Sequence, residues 1–128
     1  MSADAGTLNG LLARVARLAD AGLYFEVHEL LEPRWIRAEG DERLALQGLI
    51  QVAVALHHAG QSNRPGAISL MGEGLDKLAT AGAALPLDTV GWREGLAACL
   101  AAWRRNAPAP DPPPWPAPPT AARSDHRE

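Results

Sequence analysis

Eight of the eleven prolines fall after Asn106, and this asymmetry limits the fold more than any other feature of the chain. Proline fixes φ and has no N–H to donate, so the segment from Ala107, APAPDPPPWPAPPTAARSDHRE, can be neither helix nor central strand. Its choices are extended polyproline II or disorder, and disorder is expected over 107–128. Trp115, inside PPPWPAPP, is the one residue there that could dock on the rest of the chain or enter a partner's aromatic groove. Residues 1–106 hold only Pro33, Pro65 and Pro86 and are expected to form one helical domain. A chain of 128 residues buries about two-thirds of its unfolded surface, enough for a core without disulfide or metal.

Apolar residues before the tail recur at helical spacing. Leu8, Leu11, Leu12, Val15 and Leu18 predict a first helix from Thr7 to Ala21, with Gly22 as its cap. A second helix follows from Leu23 and stops at Gly40. A third, over about 42–59, is the most apolar and is expected at the centre. Asn63 and Pro65 open a fourth over 67–79, and Asp88 caps a fifth from Thr89 to Arg105. No period-two alternation competes. The fold expected is an all-α bundle of about five helices around a central apolar helix.

A net charge of −3 argues against nucleic acid, whose binding needs a basic face. The stretch Leu44–Leu56 is interrupted by Gln47 and Gln51 and is shorter than the roughly 20 residues of a membrane span. Cys99 is the single cysteine, so no disulfide can form within the chain, and the start of the chain lacks the basic-then-apolar order of a signal peptide. A cytoplasmic protein is expected, with neither nucleic acid nor membrane as partner and a homo-oligomer as a candidate assembly. Trp35, Trp92 and Trp103 sit at core spacing, and Cys99 reads as a small buried hydrophobe.

The second helix carries the unusual pattern. His28, Glu29 and Glu32 are interleaved with Phe25, Trp35 and Ile36 around one side, where a simple surface helix would separate carboxylates from aromatics. On the third helix Gln47, Gln51 and His58 share a stripe within an apolar segment. Buried amides and imidazoles need partners, so the two polar strips are expected to face each other.

Two readings of that cluster stay open. In the first it is a site. His28 and Glu32, four apart on one face, and His58 would ligate zinc, manganese or iron, with Glu29 as general base and Glu26, Gln47 and Gln51 contacting a small polar ligand. A hydrolase with an open water position is then the reaction class to test. In the second it is a hydrogen-bond network that sets helix register, and the bundle is a non-catalytic interaction or dimerisation module. Pro33 divides likewise: inside a helix it deprives the Glu29 carbonyl of its partner, whereas at a boundary it starts a new helix.

Tyr24-Phe25-Glu26-Val27-His28-Glu29-Leu30-Leu31-Glu32 with Trp35 resembles the signature of a small prokaryotic family catalogued as domain of unknown function 309. Leu46-Gln47-Gly48-Leu49-Ile50-Gln51, Ala55-Leu56-His57-His58, Asn63 and Gly66-Ala67 extend the likeness, which is expected over residues 8–105. The resemblance implies a compact all-helical fold and no activity. It draws attention to Glu26, His28, Glu29, Glu32, Gln47, His57 and His58 as matched polar positions.

Overall fold

The computed structural model describes residues 7–119. Five α-helices follow in order: α1 (Leu8–Asp20), α2 (Tyr24–Arg37), α3 (Gly40–Gly60), α4 (Arg64–Ala81) and α5 (Val90–Arg104), with a 3₁₀ turn over Gly82–Ala84. No strand occurs among the described residues. The all-α expectation holds.

Local chemistry sets the boundaries. Thr7 caps α1 by accepting the Gly10 N–H at 3.0 Å. The chain leaves α1 through Gly22 at φ +79°, with the Leu23 N–H returning to the Leu18 carbonyl and the Gly22 N–H to Ala19. That left-handed exit suits glycine. Gly40, at φ +62°, makes the sharp joint between α2 and α3. Asn63 caps α4 through Gly66, and Asp88 accepts the Val90 N–H at the start of α5.

α2 runs unbroken through Pro33, so the helix-boundary reading of that residue gives way to the internal one. Pro33 is exposed, and the Glu29 carbonyl it leaves unpaired lies on the outer side of the helix.

α3 lies at the centre. Ala45, Leu46, Leu49, Val52, Ala53 and Ala55 are fully buried, packed with Leu12 and Val15 of α1, Val27 and Leu31 of α2, Met71 and Leu78 of α4, and Leu96 and Cys99 of α5. Its closest neighbour is α4. A Cβ on Gly48 would stand 2.9 Å from Leu78 Cγ and 3.0 Å from the Gly74 carbonyl, and one on Gly74 would stand 2.9 Å from the Gly48 carbonyl. The two helices therefore touch backbone to backbone, which only hydrogen side chains permit.

The proline-rich segment is neither helix nor strand over 107–118, and through Trp115 and Pro118 it lies against the bundle instead of standing apart from it. Trp115 is buried against Trp92, ring centroids 4.7 Å apart, and its backbone N–H donates to Asp20 Oδ1 at 3.1 Å. Trp115 and Pro118 thus tie this part of the tail to the helices. The reason is tertiary: a groove built by helices distant in sequence receives an indole that no local rule connects to them. The remainder of the expected tail, 120–128, lies outside the described residues. No described helix is long and apolar enough to cross a membrane.

Candidate functional site

α2 and α3 are joined by a short connection, so they run antiparallel and the start of α2 meets the end of α3. Two contacts fix the joined end. Arg34 Nε donates to Glu42 Oε2 at 2.9 Å, and the Arg43 guanidinium lies 4.8 Å above the Trp35 ring. The arginines thus serve the hairpin itself and not the His28–Glu32 strip.

At the other end, Phe25 stands between two imidazoles. Its ring centroid is 5.5 Å from His28 and 5.6 Å from His57. His28 Nε2 lies 3.9 Å from Glu32 Oε1, with the side chains 28% and 47% exposed. This pair is an ordinary i, i+4 contact at the bundle surface. His28 Nδ1 points inward and is buried without a hydrogen-bond partner.

The expected opposing strip disperses. His58 turns to the α3–α4 turn, where its Nδ1 is 3.3 Å from Asn63 Nδ2. Gln51 Nε2 donates to Glu73 Oε1 of α4 at 3.0 Å, leaving its own carbonyl oxygen buried and unpaired. Gln47 is half-buried on α3. Glu26 and Glu29 border, on the side toward α1, an open groove of about 560 Å³ with Arg14, Arg17, Leu18 and Leu30. The structure therefore brings His28 and Glu32 together, and leaves His58, Glu29, Glu26 and Gln51 elsewhere. No group of three or more His, Cys, Asp or Glu able to hold a metal occurs among the described residues.

The interleaving that suggested buried carboxylates has a different cause. Phe25 and Ile36 are 45% and 59% exposed, so it is the apolar residues that point outward on α2. Phe25, Glu29, Glu32 and Ile36, spaced four, three and four apart, make one outer stripe. His57 and the outward position of Ile36 were not singled out by pattern alone. The signal for His57 was the short α2–α3 connection, which dictates that residues near 25 meet residues near 57.

Residues 12–70 match the model of a family described as Domain of unknown function (DUF309). The match takes in α2, α3 and the His57–Asn63 turn but ends within α4, short of the expected 8–105. Comparison with curated proteins and with solved structures finds no match. The chain resembles that family from within α1 to the first part of α4.

Proposed function

We propose that this chain is a non-catalytic interaction module that pairs with a second copy of itself through the outer face of α2. One observation carries the reading: Phe25 and Ile36, two large apolar side chains at 45% and 59% exposure, lie on a single stripe of one helix. Single exposed hydrophobics are ordinary, whereas several aligned on one rimmed face mark a contact surface.

The apolar ends of the stripe are self-complementary. Two α2 helices crossing antiparallel about a two-fold axis set Phe25 over Ile36 of the second copy, and the same register brings Glu29 opposite Glu32 of the second copy, a like-charge contact that opposes the apolar pairing. Charge follows the same polarity, with Glu26 and Glu29 in the first half of α2 and Arg34 and Arg37 in the second. An isologous interface requires this kind of matching. Phe25 and Ile36 have only 45% and 59% of their surface left to bury, so each contributes about half of the roughly 1.5–3 kcal/mol of a fully transferred side chain, and the cost of association leaves a dimer of low affinity.

Sedimentation equilibrium of the full chain tests the proposal. The wild type should approach dimer mass at high micromolar concentration, and Ile36→Glu should remain a monomer with an unchanged melting temperature. A wild type that stays monomeric throughout that range contradicts it.

A second reading, a polar or metal ligand at His28 and Glu32, rests on the 3.9 Å approach of His28 Nε2 to Glu32 Oε1. One imidazole and one carboxylate are too few for a closed zinc site, so the ion would need ligands from a second molecule. Zinc-dependent dimerisation that is lost in His28→Ala supports this reading. Equal association with zinc and with chelator removes it.

A further inference from the structure

The segment 113–118 touches the bundle with a period of three. Trp115 and Pro118 are buried, Pro113 and Pro116 are half-buried, and Pro114 and Ala117 are exposed, while Asp111 and Pro112 before them are both exposed. Three residues per turn is the repeat of polyproline II, so two edges of such a helix contact protein and the third faces solvent. This is how proline-rich ligands sit in dedicated receptor grooves.

The groove has the corresponding parts. Trp92 meets the Trp115 indole edge to face at 4.7 Å. Asp20 accepts the backbone N–H of Trp115, and Cys99 Sγ donates to the Pro110 carbonyl at 3.4 Å. Gly95 forms a notch for a proline ring: a Cβ there would stand 2.7 Å from Pro113 Cγ. Residues of α1 and α5 thus recognise backbone, indole and ring separately.

The seating is also incomplete. The indole N–H groups of Trp92 and Trp115 are both buried without an acceptor, and each such loss costs about 1–3 kcal/mol. A cleft of about 390 Å³ remains between the segment and Ala19, Asp20, Tyr24 and Leu56. Polyproline II has no internal hydrogen bonds to lose on leaving.

From these features we infer that this face is a receptor for tryptophan-bearing polyproline II peptides, held in cis by the chain's own 110–118 and open to the same sequence in trans. The inference is independent of the α2 interface. Tethering gives the cis segment an effective concentration in the millimolar range, so a trans peptide competes only when the anchor is weakened.

The test uses the full chain and a fluorescent synthetic peptide of residues 107–119. Trp115→Ala, which removes the cis anchor and leaves the groove, should bind the peptide saturably and at least tenfold more tightly than wild type. Gly95→Ala fills the notch on a helix it otherwise favours. It should move the Trp115 indole resonance to its solvent-exposed position, keep a cooperative melt and bind no peptide. Absence of saturable binding to a folded Trp115→Ala chain, or equal binding to Trp115→Ala and wild type, overturns the inference. Should Trp115→Ala fail to fold, Gly95→Ala decides: an unmoved Trp115 resonance shows that the notch does not hold the segment.

Discussion

Phe25 of α2 packs 5.6 Å, centroid to centroid, from His57 of α3, so the first imidazole of the His57–His58 pair meets the second helix. His58, 6.1 Å from its neighbour's ring, is turned to Asn63. A ring current from Phe25 should therefore act on His28 and His57. Phe25→Ala should move the ring-proton resonances of both and leave those of His58 in place. A His58 shift as large as that of His57 would mean that the helix end is organised differently.

The Gly48–Gly74 contact predicts a sign reversal within α4. Gly74→Ala forces a methyl toward the Gly48 carbonyl and should destabilise by about 1–3 kcal/mol despite the better helix propensity. Gly72, whose added Cβ would meet only Arg104 Nη2 at 3.5 Å, should gain up to about 1 kcal/mol on change to alanine. Urea melts of the two variants check the pair, and equal effects would deny the close helix approach.

Ser62 ends α3 at φ +61°, with the Asn63 N–H returning to the His58 carbonyl. A left-handed residue with a Cβ costs roughly 1–2 kcal/mol, and glycine gives part of that back to unfolded-chain entropy. Ser62→Gly should stabilise by about 0.5–1 kcal/mol. Thermal melts showing a loss would place the constraint elsewhere, in a contact of the serine hydroxyl.

Two groups under the proline-rich segment make stability fall at alkaline pH. Burial, with Asp111 nearby, raises the Cys99 thiol; burial, then Asp20 and Cys99, raises the Tyr24 hydroxyl. The folded state holds these protons longer than the unfolded chain. Their contribution is thus complete below the unfolded values, about 8.5 for Cys and 10 for Tyr, and is lost as pH rises through the folded ones. Cys99→Ala should flatten the decline that begins near the thiol range, and Tyr24→Phe the part above it. Melting temperatures across that range with the same slope in wild type and both variants contradict the assignment.

The helices were legible because their signals are local. Periodic leucines, Gly22, Asn63 with Pro65, and Asp88 each act within a turn of where they stand. The site was less so. A helical wheel shows which residues share a side and not which side faces in, and α2 turns Phe25 and Ile36 outward while Val27 and Leu31 fill the core. Reading aromatics as core drew Glu29 and Glu32 inward with them. Gln51 and His58 lie on one stripe of α3, but a helix buried on most sides gives each a different neighbour, Glu73 for one and Asn63 for the other. Trp115 was beyond local rules altogether, since its backbone partner, Asp20, is 95 residues away.

The central claim is that the outer stripe of α2 meets its own copy. A mixed sample of isotope-labelled and unlabelled full chain, read by isotope-filtered NOE spectroscopy, reports contacts between molecules only. The account predicts cross-peaks from the Phe25 ring of one copy to the Ile36 methyls of the other, absent in Ile36→Glu. A dimer without those cross-peaks, or a chain that gives no intermolecular cross-peaks at millimolar concentration, contradicts it.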